Sequence, residues 1–133
     1  MWMQFGVALG ALVVLDGIWL GVLMKDFYRA SLAPIARMAD GGLDPLWPVA
    51  ALVYPVLAAG LTMFVLTRAR TPLDALIQGA CFGALTFAVY DLTNHATLRE
   101  WRALMTVVDI AWGATSCGVA SWVAGMLTRA SQP

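Results

Sequence analysis

Residues 5–24 read FGVALGALVVLDGIWLGVLM, a run whose one ionisable side chain is Asp16. A helix that crosses the hydrocarbon of a bilayer needs about 20 mostly apolar residues. This run supplies them before Lys25 and Asp26 end it. Apolar and polar positions do not alternate, so a half-buried strand is the poorer reading. The run also lacks the basic stretch of a cleaved signal peptide and carries an acid in its body, so it is expected to remain as a span.

Three further runs have the same character. They cover roughly residues 47–67, ended by Arg68 and Arg70, residues 73–94, ended by Arg99 and Glu100, and residues 103–128, ended by Arg129. The fold class expected is all-α, a four-helix transmembrane bundle, with residues 1–133 as a single integral membrane domain. Four strands could not close a barrel, and an open sheet leaves backbone groups unsatisfied in lipid. Composition agrees. The chain is 61% hydrophobic and 12% charged, about half the charge of a soluble domain, with a mean hydropathy of +0.77. Eight basic residues balance eight acidic ones. No basic face is left for nucleic acid; the partner implied is the lipid bilayer.

The longest connection is residues 25–46. Tyr28, Leu32, Ile35 and Ala39 recur there at helical spacing. A short interfacial amphipathic helix is expected, capped by Ser31, with Pro34 in its first turn and Gly41-Gly42 at its end. Thr71-Pro72-Leu73-Asp74 reads as the N-cap, first position and acidic first turn of the third span. Four spans put both termini on one side, side A, with Arg68, Arg70 and Arg129. Side B holds Lys25, Arg29, Arg37, Arg99 and Arg102. The excess of basic residues makes side B cytoplasmic and both termini non-cytoplasmic. Trp2 and Trp122 toward side A, with Trp47 and Trp101 at side B, read as interfacial anchors. Gly6/Gly10, Gly17/Gly21 and Gly79/Gly83 have the spacing of close helix contacts, within the chain or between copies. Cys81 and Cys117 read as small apolar filler; a disulfide between them is compatible with their depth but not demanded.

The chemistry lies in three acids. Val14-Leu15-Asp16, Val89-Tyr90-Asp91 and Val107-Val108-Asp109 share a pattern, and two extend to Asp-x-x-Trp, at Trp19 and Trp112. Counted from Lys25, Arg99 and Arg102, all three carboxylates sit roughly 10–14 Å inside from side B, at about 1.5 Å per residue. Tyr54 reaches that level from the second span. An ionised carboxylate in hydrocarbon costs at least about 2.5 kcal/mol, so the three acids should face the bundle interior. With no Lys or Arg in a helix body, they need a proton, a cation, an arginine reaching in from the surface, or His95. At least one is expected to be protonated near neutral pH unless a cation is bound.

Two readings follow. One is a binding or catalytic site built by Asp16, Asp91 and Asp109, with Trp19, Trp112, Tyr54, Tyr90, Asn94 and His95 as candidate walls. The other is a structural network in which the indoles of Trp19 and Trp112 satisfy Asp16 and Asp109. A lone His95 excludes a histidine-rich di-iron centre and disfavours zinc; oxygen ligands would suit a hard cation. No metal or cofactor is specified, and no Ser-His-Asp set or phosphate loop is present.

Asp16-Gly17-Ile18-Trp19-Leu20-Gly21, Phe27-Tyr28, Tyr90-Asp91-Leu92-Thr93-Asn94 and Asp109-Ile110-Ala111-Trp112-Gly113 together resemble a family of small bacterial membrane proteins, domain-of-unknown-function family 2177. The resemblance spans essentially the whole chain. It implies four helices and a bacterial inner membrane, and such proteins being often encoded near fatty-acid-modifying enzymes favours a lipid-related role. Enzyme, proton- or cation-coupled transporter and non-catalytic subunit of a larger membrane complex all stay open. A transporter of four helices would call for a homo-oligomer.

Overall fold

In a computed structural model, residues 1–130 are described, with side chains through Thr128; the side chain of Arg129, counted above on side A, lies outside the described residues. Helix α1 spans Trp2–Leu23, α2 Lys25–Leu32, α3 Trp47–Leu66, α4 Pro72–Thr97 and α5 Ala103–Ala130. Strands β1 (Met38–Ala39) and β2 (Gly42–Leu43) form a small antiparallel hairpin between α2 and α3, with Met38 opposite Leu43. Among the described residues four helices, α1, α3, α4 and α5 to Thr128, are long and apolar enough to cross a membrane. The all-α bundle is as the hydropathy pattern implies.

Helix α5 packs against α4 along its length and against α1 on another face. The α4–α5 seam depends on small residues. A Cβ on Gly83 would overlap the carbonyl oxygen of Gly113, and one on Gly79 would lie 2.7 Å from the carbonyl oxygen of Cys117. Such contacts let two backbones approach in a medium where packing replaces hydrophobic drive. The N-cap of α4 follows the sequence: Asp74 N donates to Thr71 Oγ1 at 3.0 Å, with Pro72 in the first turn. Helices α1 and α3 each end in a widened π turn, Trp19–Leu23 and Thr62–Leu66.

Helix α3 buries residues along only half its length. It buries Leu57, Ala58, Leu61, Thr62, Val65 and Leu66, whereas no residue of Trp47–Val56 is buried. The main core, including Ala8, Leu12, Leu61, Ala120 and Ala124, therefore lies toward side A. Toward side B a second cluster forms from Tyr28, Trp101 and Met105, with Trp19, Met24, Phe27 and Leu32 packed on it.

Several expectations change. The short helix begins at Lys25, with Asp26 in its first turn, and ends before Pro34, so Ser31 lies in its last turn rather than at its N-cap. Met24, Phe27, Tyr28, Ser31 and Leu32 form its inward face. The chain near Gly41 is a hairpin turn instead of a helix end. Asp40 and Gly41 have φ of 49° and 74°, the left-handed pair that a tight two-residue hairpin requires. Trp101 is not an exposed anchor: it is buried, and its indole donates to Thr106 Oγ1 at 3.0 Å. Trp2 and Trp47 are exposed. The glycines of α1 do not mark an internal contact, because a Cβ on Gly6, Gly10, Gly17 or Gly21 would meet nothing within 4 Å. Cys81 and Cys117 are free thiols, one exposed and one buried.

Candidate functional site

The side-B half holds a cavity of about 200 Å³. Its walls come from four helices: Asp16 and Leu20 of α1, Tyr28 and Leu32 of α2, and Phe87 and Tyr90 of α4. Met105, Asp109 and Trp112 of α5 complete it. The first half of α3 buries no residue and contributes none to the cavity wall, although Tyr54 packs on the core. Helix α2 lies over the cavity, bringing Tyr28 inward from the connection. Tyr90 is 59% exposed and Leu20 42%, so the wall between α1 and α4 is open to the side, where a bilayer would lie.

The two Asp-x-x-Trp units serve each other across helices. Trp112 Nε1 on α5 donates to Asp16 Oδ1 on α1 at 2.6 Å. Trp19 Nε1 on α1 donates to the Tyr28 hydroxyl at 3.2 Å, and Tyr28 donates in turn to Asp109 Oδ1 on α5. The two indoles stack between these bonds, with ring centroids 4.3 Å apart and planes 4° apart. The two indoles thus serve the two aspartates crosswise, Trp112 bonding Asp16 directly and Trp19 reaching Asp109 through Tyr28. The physical reason is direction: α1 and α5 are antiparallel, so an indole one turn along either helix arrives at the other's carboxylate. Burial, then the hydrogen bond to Asp109, raise the Tyr28 hydroxyl above the ordinary tyrosine range. It therefore keeps its proton at neutral pH and remains a donor.

Asp91 is different. It is 0% exposed, and neither of its side-chain oxygens has a hydrogen-bond partner. The carboxyl of Asp109 faces it directly. Two carboxylates have only acceptors to offer one another, so this contact needs a proton or a cation between them. Asp16 stays with Trp112, and the Tyr54 hydroxyl sits beside it. Among the described residues no three of His, Cys, Asp and Glu come together closely enough to hold a metal ion.

The remaining sequence candidates divide by position. Tyr90 lines the cavity, and Asn94 sits beside its hydroxyl. His95 is exposed, with Nδ1 3.4 Å from Thr106 Oγ1, outside the cavity. At the side-B rim Arg102 donates to the buried Ser31 hydroxyl at 3.4 Å, joining the α4–α5 loop to α2. Sequence reasoning missed Tyr28, Phe87 and Met105 as site residues. Tyr28 had a signal, as the inward position of an amphipathic turn; Phe87 and Met105 had none apart from apolar character.

A family profile described as "Predicted membrane protein (DUF2177)" matches residues 1–126. No curated protein and no solved structure matches the chain.

Proposed function

We propose, from the premise that the chain belongs to the DUF2177 family of predicted membrane proteins, that it binds a lipid-derived molecule in an intramembrane carboxylate site. The observation that carries this reading is the laterally open cavity of about 200 Å³ between α1, α4 and α5, with Asp109 on its wall. A volume of that size is on the order of seven waters. It suits a polar head and a few methylene groups, with the rest of an acyl chain leaving through the gap beside Tyr90. A ligand arriving from the bilayer needs no aqueous path, and α2 covers the site on the side facing water. If the bound molecule is also modified, a protonated aspartate is the general acid and a second carboxylate the base.

The reading places the protein in the bacterial inner membrane, with side B and α2 cytoplasmic and both termini outside. The basic bias of the side-B connections supports that orientation, and reporter fusions to the C-terminus test it: activity restricted to the cytoplasm overturns it. The site itself is tested by native mass spectrometry of the protein purified in mild detergent. The wild-type chain is expected to retain a lipid-derived adduct that a cavity-filling Met105→Trp variant loses. Equal adducts on both would sink the assignment to this cavity.

A further inference from the structure

We propose that the group recognised at this site is a primary ammonium, carried by an amphiphile whose chain lies in the bilayer. The inference rests on the lipid-binding reading above and names the head that the cavity accepts. Three observations support it.

The first is the balance of donors and acceptors. Both oxygens of the fully enclosed Asp91 lack a donor. Asp109 uses Oδ1 for Tyr28, and Tyr28 has spent its hydrogen on that bond. The indoles of Trp19 and Trp112 are likewise committed, to Tyr28 and Asp16. Beyond the one proton the two carboxyls can share and the Tyr90 hydroxyl on the far wall, the Asp109–Asp91 pair meets no donor from these rings, and a ligand that brings N–H groups would satisfy it.

The second is charge. Among the described residues no Lys, Arg or His lines the cavity, whereas Asp16 and Asp109 do, with Asp91 facing Asp109. With one proton shared between Asp91 and Asp109, that pair still carries one negative charge. A phosphate or carboxylate head would meet like charge with no cation to receive it. A bare metal ion would lack a third carboxylate, histidine or thiolate within reach among the described residues.

The third is the wall. Tyr28, Phe87, Tyr90 and Trp112 surround the space. Aromatic faces attract ammonium groups through the ring quadrupole, and do so more strongly when water is excluded. Acceptors alone would suit any alcohol; acceptors, negative charge and aromatic faces together select a cation with N–H bonds. A primary ammonium has three donors, to be met by the Asp109 and Asp16 carboxylates on the cavity wall, with the enclosed Asp91 behind Asp109 adding negative charge.

The test is a head-group series on the full chain in non-ionic detergent at neutral pH, read by native mass spectrometry. The probes are dodecylamine, dodecyltrimethylammonium, dodecanol, dodecanoic acid, dodecyl phosphate and ethylamine. Dodecylamine is expected to bind with a Kd at least tenfold below those of the alcohol, the acid and the phosphate. The trimethyl compound, which keeps the charge but has no N–H, should fall between. Asp91→Asn and Asp109→Asn should each weaken dodecylamine at least tenfold while leaving dodecanol within twofold; dodecanol binding also reports that the variants are folded. Tightest binding of the acid or the phosphate would overturn the ammonium assignment and leave the lipid reading standing. Ethylamine binding as tightly as dodecylamine would keep the ammonium and overturn the lipid reading. No binding by any probe would overturn both.

Discussion

The two halves of this bundle use opposite rules. Toward side A the helices close on one another through glycine, alanine and serine, and α3 joins them with Leu57, Leu61 and Val65. Toward side B the same helices carry aspartate, tyrosine and tryptophan, α3 buries no residue there, and α2 lines the space instead. Small side chains bring backbones together and leave no room; large polar aromatics hold them apart and line what remains. A membrane bundle of only four spans can thus be tightly packed at one end and enclose a cavity at the other.

The largest effect should come from breaking the α4–α5 seam. Gly83→Leu forces a side chain into the carbonyl oxygen of Gly113. Its cost should exceed about 3 kcal/mol, the upper end of ordinary overpacking, because backbone rather than a flexible side chain is in the way. Thermal unfolding in detergent should show no cooperative transition at the wild-type Tm. A near-native Tm would mean that the α4–α5 seam is not what holds the bundle together.

Next comes the lid over the open half. Tyr28→Phe removes both the donor to Asp109 and the acceptor for Trp19 while keeping the ring. A loss of about 1–2 kcal/mol is expected, the range for polar contacts between membrane helices. The near-ultraviolet circular dichroism of the Trp19–Trp112 stack should change with it. An unchanged spectrum with unchanged stability would detach α2 from the site.

A smaller effect should separate the carboxylates from one another. Asp91→Asn gives Asp109 an amide donor in place of an opposing carboxyl, so it should be neutral or stabilising. Combined with Asp109→Asn, the double variant should depart from additivity by about 1 kcal/mol, whereas Asp16→Asn should add within about 0.5 kcal/mol of independence from Asp91→Asn. Additivity of all three would reduce the pair to unrelated neighbours.

The smallest effect is the contrast that sharpens the first. Gly17 has the same small-residue spacing as Gly83, yet a Cβ there meets nothing within 4 Å. Gly17→Leu should change stability by no more than about 0.5 kcal/mol, as for other surface positions. A collapse comparable to that of Gly83→Leu would show that this face of α1 is covered, by a second copy or another chain.

The spans and the helix cap at Thr71 were legible in the sequence because they are local. Twenty apolar residues have to bury their backbone hydrogen bonds within one helix, whatever their neighbours do, and Thr71-Pro72-x-Asp74 satisfies its own first turn. That Asp16, Asp91 and Asp109 come to one level along the bundle was equally legible, since rise per residue converts chain distance into height. Azimuth was not. Which glycine faces a helix and which faces outward, whether a tryptophan serves its own aspartate or that of an antiparallel neighbour, and that Tyr28 reaches Asp109 across 81 positions of sequence all depend on how the helices are rotated and paired. Every span is apolar around its whole circumference, because lipid and protein interior ask for the same side chains, so no hydrophobic stripe marks the inward face. Only the tertiary contacts, fixed where small residues let α4 and α5 meet and where α3 stops burying residues, settled that rotation and with it the division into a closed half and an open one.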